Sequence, residues 1–164
     1  MQIGNYFLFE QYPISREGQT CHYIYFVKKG LLKLFSIHND REFIMRFFLE
    51  NSFVTVFDSF TYNKASRFQL MALEDCELSL LHRDKYEALC KSDHQIETFF
   101  RKLIQHTAAK MHERITEILE NDATAHYQLF LEGNRQLIQR VSLGDLANYL
   151  GITQSSLSKI RAKK

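Results

Sequence analysis

The residues best suited to chemistry with an outside partner lie near the end of the chain, in Val141-Ser-Leu-Gly-Asp-Leu-Ala-Asn-Tyr-Leu-Gly-Ile-Thr-Gln-Ser-Ser-Leu-Ser-Lys-Ile-Arg. Ser142 with Asp145 three positions on forms a capping box that opens a helix. Leu143, Leu146, Ala147 and Leu150 then recur on one inward face, and Ala147 is small enough for a second helix to cross close by. Gly151 supplies the positive φ of a tight turn. Ile152 plugs that turn and Thr153 caps the next helix, which Leu157 and Ile160 anchor. This is the spacing of a helix-turn-helix. Its second helix turns Gln154, Ser155, Ser158, Lys159 and Arg161 outward, polar and basic with no acid among them.

In that geometry the second helix enters the major groove of double-stranded DNA, with its first residues at base edges. Gln154 suits adenine, Lys159 suits guanine and Ser155 suits several bases. Ser142, Ser156, Arg161, Lys163 and Lys164 are better placed for phosphates, which set affinity rather than sequence. Thr153 belongs to the same expected DNA-binding set. Charge placement agrees with this. The whole chain carries a net charge of only +2. Beyond residue 134, however, Arg135, Arg140, Lys159, Arg161, Lys163 and Lys164 face Asp145 alone, the footprint of a nucleic-acid-binding segment.

Such a reader must be carried by something, and two patterns precede it. Up to about residue 82 the chain reads as β. Tyr23 to Val27, Lys28-Lys29-Gly30 and Leu31 to Ile37 predict a hairpin turning at the glycine. His38-Asn39-Asp40 predicts a second turn and Glu42 to Phe48 a further strand. Phe68 to Leu73 and Glu77 to Leu81 flank a turn at Glu74-Asp75, and Phe53 to Asn63 is irregular with a short helix. Short strands at this spacing predict a sandwich or barrel.

The pattern then becomes helical. Asp84 to Cys90 suits a short helix, and Ser92-Asp93 caps a long one. Ile96, Phe99, Phe100, Leu103, Ala108, Met111, Ile115, Ile118 and Leu119 recur at helical spacing over residues 95–120, a rod of roughly 39 Å at 1.5 Å per residue. A helix that outruns its domain needs a partner for its stripe. Phe99, Phe100, Leu103, Ala108, Met111, Ile115, Ile118 and Leu119 are therefore expected in a homodimer interface. Asn121-Asp122 breaks the helix, Ala123 to Glu132 forms a shorter one, and Gln136 to Arg140 reads as an extended link.

A β domain, a long helix and a C-terminal helix-turn-helix together resemble the Crp/Fnr family of bacterial regulators. Its most specific stretches are Tyr25-Phe-Val-Lys-Lys-Gly-Leu-Leu-Lys-Leu, Ala72-Leu-Glu-Asp-Cys-Glu-Leu and the segment from Leu146 to Arg161, the last most similar to the Bacteroidetes branch. The resemblance implies an α+β fold: an N-terminal double-stranded β-helix of the cyclic-nucleotide-binding-domain type over residues 1–92, a long dimerisation helix over 93–120, and a helix-turn-helix DNA-binding domain over 121–164. It also implies a cytoplasmic homodimer on two-fold operators, half-sites about 34 Å apart, with RNA polymerase and a small-molecule effector as further candidate partners. The sequence departs from the family at both ends, where the usual N-terminal helix and a downstream wing find little or no room.

It departs in the pocket as well. The family's nucleotide binders use a Gly-Glu pair for the ribose and an Arg-Ser/Thr-Ala cluster for the cyclic phosphate. Here Thr55-Val56 stands at the first and Ser66-Arg67-Phe68 at the second. Val56 cannot accept a ribose hydroxyl, Phe68 crowds a phosphate, and Arg67, one position off, turns to the opposite face of a strand. Cyclic AMP is therefore not expected as the effector. Arg46, Thr55, Ser66 and Arg67 are the candidate lining for an unknown one.

Other classes find less support. There is no nucleophile elbow, Gly-rich phosphate loop, or His-x-Glu or Cys-x-x-Cys spacing, so no enzyme and no cofactor is expected. The three cysteines, Cys21, Cys76 and Cys90, suit reduced thiols rather than a disulfide or metal framework. His22, His38 and His106 stand alone, and no metal is expected. No apolar run reaches the ~18 residues of a membrane span, and Met1-Gln-Ile-Gly-Asn is unlike a signal peptide. The alternative is an effector-sensing or protein-interaction module without DNA binding, which an acidic or apolar second helix would have favoured.

Overall fold

The computed structural model describes residues 5–162. Two four-stranded antiparallel sheets face each other. One has the order β1 (Asn5–Leu8), β8 (Cys76–His82), β3 (Tyr23–Lys29), β6 (Phe53–Val54); the other has β2 (Pro13–Ser15), β7 (Gln69–Ala72), β4 (Leu32–His38), β5 (Arg41–Phe48). Between them lies an apolar interior that includes Tyr25, Val27, Leu32, Phe48, Val54, Leu70 and Leu78. This is the double-stranded β-helix that the family resemblance implies.

Two connections differ from the sequence reading. Gly30 does not turn a hairpin. β3 and β4 belong to different sheets, and the chain crosses from one to the other at Gly30. Its φ is +103°, and a Cβ there would come within 2.9 Å of the Asp75 carbonyl oxygen and the Cys76 Cα, so the corner needs glycine. Glu74-Asp75 is likewise a crossing, from β7 to β8, rather than a turn within one sheet. The His38–Asp40 turn is a true hairpin. Asn39 and Asp40 have φ of 50° and 58°, the pair of positive values that matches the twist of the flanking strands.

One irregularity in that hairpin decides how the molecule is assembled. Leu34 pairs with Arg46 but Phe35 pairs with Ile44, leaving Met45 as a bulge. Alternation turns Leu32 and Phe48 to the interior and Phe35 and Phe47 outward, and the bulge, which exchanges the two faces of β5, adds Ile44 to the outward set. The outward set would be a costly apolar patch if left in water. Instead it shares a core with Tyr127, Phe130, Leu146, Ala147, Leu150 and Leu157 of the C-terminal helices.

α1 (Phe57–Tyr62) lies between β6 and β7, and α2 (Arg83–Ser92) follows β8. Side-chain caps open the two helices that follow α2. The Asp93 carboxylate accepts from the Gln95 and Ile96 N–H groups to open α3 (His94–Glu120), and Asp122 does the same for α4 (Ala123–Gly133). Residues 135–140 form hydrogen-bonded turns rather than the expected extended link: Arg140 N–H and Val141 N–H both donate to the Leu137 carbonyl. Leu137 is buried, and a hydrophobic anchor facing a core favours a coiled segment over an extended one. α5 (Leu143–Leu150) and α6 (Gln154–Ala162) complete the chain. No helix among the described residues is long and apolar enough to cross a membrane.

Candidate nucleic-acid interface

α5 starts at Ser142, whose hydroxyl accepts from the Asp145 N–H at 3.0 Å while donating to the Asp145 carboxylate at 2.6 Å. α5 ends at Gly151 in the left-handed region, φ 70°. Thr153 then opens α6, its hydroxyl accepting from the Ser156 N–H at 3.2 Å and lying 3.0 and 2.8 Å from the Ser155 and Ser156 hydroxyls. Each such cap stabilises its helix by about 1 kcal/mol. Leu157 is fully buried against α5, and Ile160 packs beside it. Gln154, Ser155, Ser156, Ser158, Lys159 and Arg161 are all exposed. Lys163 and Lys164 lie outside the described residues. The expected polar residues of α6 that are described thus face solvent.

That unit is bound to the β sheets by ion pairs between residues far apart in the chain. The ammonium of Lys33, 7% exposed, lies 2.8 Å from both Glu42 and Asp145. Asn148 donates to Glu42 at 3.3 Å. The Arg140 guanidinium pairs with Glu50 at 2.7 Å and also with Glu74. Its proximity holds the Glu50 carboxyl down to about 2. Arg41 donates to the Gly151 carbonyl at 2.7 Å, and Arg114 of α3 donates to the Tyr149 carbonyl at 2.9 Å. Local pattern shows Lys33 and Arg41 only as polar strand positions. Arg114, a cation between Met111 and Ile115 in an apolar stripe, was the one visible signal.

Along α3 the expected dimer stripe divides. Phe100 is buried in the chain's own core, its ring centre 4.9 Å from that of Tyr86 and 5.9 Å from that of Phe53. It therefore cannot face a partner as expected, because the start of α3 lies on the outer face of the β1–β8–β3–β6 sheet. Leu103 is half-buried there, and Phe99 keeps about half its surface. Beyond them Ala108, Met111, Ile115, Ile118 and Leu119 are exposed.

Each of the four expected pocket residues has a partner within the chain. Thr55 donates to the Tyr23 carbonyl at 2.9 Å. Ser66 is buried and donates to the Asp58 carboxylate, 2.8 to 2.9 Å away. Arg67 is exposed in a bend over the Phe68 ring, 5.2 Å to its centre, rather than in a strand facing a cavity. Arg46 lies over the Phe48 ring, and burial lowers its pKa. Asp58 is the residue that sequence reasoning missed. Its carboxylate occupies the hydrogen-bonding capacity of Ser66, and its charge would repel a phosphate.

Residues 10–93 match the model of the cyclic nucleotide-binding domain, and the chain belongs to that family. No curated protein sequence matches the chain. Among solved structures it is similar to FixK2 from Bradyrhizobium japonicum, 22% identical over 99% of this chain and 84% of that one, with a TM-score of 0.80. It is also similar to the c-di-GMP responsive global regulator CLP of Xanthomonas campestris, 18% identical over 98% and 86%, TM-score 0.78. A third likeness is to TTHB099, a CRP-family transcriptional regulator from Thermus thermophilus, 18% identical over 96% and 83%, TM-score 0.76. These likenesses run from the β strands through the helix-turn-helix, so the α+β fold of CRP-family regulators is shared along nearly the whole chain.

Proposed function

We propose that this protein is a sequence-specific, DNA-binding transcriptional regulator of the Crp/Fnr type. It acts as a homodimer and is not controlled by cyclic AMP. The observation that carries the reading is α6, a capped helix with one fully buried anchor and a solvent-facing surface of Gln154, Ser155, Ser156, Ser158, Lys159 and Arg161. Polar hydroxyls and amides with two cations and no carboxylate fit base edges and phosphates. Lys163 and Lys164 extend the same charge in the sequence, and Ser142 and Thr153 contribute by fixing the two helix starts.

A single short helix reads one half-site weakly, so affinity comes from pairing. The exposed part of α3, Ala108, Met111, Ile115, Ile118 and Leu119, supplies the seam, with Phe99 and Leu103 at its start. The roles follow the order of the chain: residues 1–92 carry the β-roll, 93–120 the dimer helix and 121–164 the DNA reader. Independence from cyclic AMP is supported by the Asp58–Ser66 pair. In vitro selection from randomised duplexes is expected to enrich a two-fold sequence. Enrichment of no sequence at low salt would refute DNA reading.

A further inference from the structure

Two arginines from different parts of the fold hold the same turn. Arg114 comes from α3 and donates through Nη2 to the Tyr149 carbonyl at 2.9 Å, while its guanidinium carbon lies 3.6 Å from the centre of the Tyr149 ring. Arg41 comes from the β4–β5 hairpin and donates through Nη2 to the Gly151 carbonyl at 2.7 Å. The two carbonyls flank Leu150 at the C-terminal end of α5, where helix carbonyls lack partners within the helix and a cation is favoured by the dipole. Stacking of a guanidinium on an aromatic face fixes its orientation as well as its position.

Only Ile152 and Thr153 separate Gly151 from α6. Whatever fixes the Gly151 carbonyl therefore fixes where α6 begins. Tyr149 adds to the constraint, since its ring also packs on Phe47 of β5 and Phe130 of α4, with centres 5.3 and 5.2 Å apart. The helix expected to carry the two-fold axis, the β-roll and the reading unit thus meet at one turn. Nothing in DNA reading by a single copy requires this. A pair of copies does, because the distance between their α6 helices must match the distance between half-sites.

We propose that Arg114 and Arg41 are positioning residues that set the separation and tilt of the two recognition helices, and so the half-site spacing the dimer accepts. The inference rests on the dimeric DNA-reading function above. Neither residue touches a base. Both act through the Tyr149–Gly151 turn.

Selection from a randomised duplex library, run on the full chain with the wild type, Arg114→Gln and Arg41→Gln, tests this. The wild type is expected to enrich paired half-sites at one spacing. Arg114→Gln should enrich the same half-site bases at several spacings. Its affinity for the wild-type operator should fall about tenfold as part of the gain from simultaneous engagement is lost, while its affinity for an isolated half-site stays within about twofold. Arg41→Gln should shift in the same direction by less, and it decides the matter if Arg114→Gln does not fold. Variants that keep a single spacing and wild-type operator affinity would overturn the inference alone. A wild type that enriches no paired sites would overturn the dimeric reading and this inference with it.

Discussion

The segment around α1 and the segment around α6 both carry serines in or beside a helix, yet they treat them in opposite ways. At α1 the hydroxyls are spent inside the molecule. Ser66 donates to Asp58 and accepts from the Phe68 N–H, while Ser59, fully buried, accepts from the Cys21 N–H and donates to the Lys64 carbonyl. At α6 only the cap is spent, among the hydroxyls of Thr153, Ser155 and Ser156, and Gln154 and Ser158 stay in solvent with Lys159 and Arg161. A buried hydroxyl without a partner costs about 1–3 kcal/mol, so a closed site must satisfy itself, whereas an exposed surface can leave its donors for another molecule. Within one chain, Ser59 and Ser66 of the β-roll are satisfied internally, and the surface of α6 is open.

This contrast is broken most forcefully through the helix that joins the two regions. Ile115→Asp places a charge in the exposed α3 seam without touching α6. Loss of paired engagement should weaken operator binding by about 100-fold or more, with sedimentation showing a monomer. Undiminished operator affinity would remove the dimer from the account. Next is the anchor beneath the open surface. Leu157→Ala should destabilise the helix-turn-helix by about 2–5 kcal/mol, seen as earlier loss of helical signal on heating.

A smaller effect concerns how firmly the open region is docked. The Arg140 guanidinium holds Glu50 at about 2, against an ordinary value of 4.5. A carboxyl whose folded value is depressed stabilises the fold above its unfolded value and loses that contribution as pH falls through the folded one. Docking of the 135–140 turns should therefore be at full strength above about pH 4.5 and decline towards pH 2. Glu50→Gln should flatten this part of a stability–pH profile, and an unchanged profile would show that the pair does not matter. Smallest of all, calorimetry with cyclic AMP should show no binding heat at micromolar concentrations if the Asp58 carboxylate, paired with Ser66, opposes a phosphate there. Saturable binding would reverse the view of the α1 region.

Legibility in the sequence follows the range of the interactions. The helix-turn-helix could be read almost residue by residue, since its caps, Gly151, Ala147 and Leu157 act within a few positions of one another. The strands β3, β4, β5, β7 and β8 were visible too, whereas the short β1, β2 and β6 were not, and the pairing could not be read. The runs on either side of Gly30 look like a hairpin whether they bond to each other or to separate sheets, and only Cys76 and Asp75 packed against the glycine decide it. The turns at 135–140 were misjudged for the same reason, since they are held by Leu137 in the core and by Glu50 and Glu74, distant in sequence, on Arg140. At the candidate pocket, Ser66 donates to Asp58, and a short local alignment cannot show which hydroxyls are already taken. Phe100 shared its helical stripe with residues that remain exposed, and periodicity alone cannot tell a neighbouring sheet from a second copy.

The central claim is that α6 is open to DNA, and its charge allows a direct measurement. Affinity for a selected operator is followed across a series of salt concentrations for the wild type and for Lys159→Ala. For the wild type, log affinity should fall steeply and linearly with log salt. In Lys159→Ala the slope should be shallower by about 1 if Lys159 neutralises a phosphate, or equal with relaxed base preference if it reads guanine. Affinity, slope and base preference all unchanged in Lys159→Ala, or no DNA binding by the wild type even at the lowest salt, would contradict it.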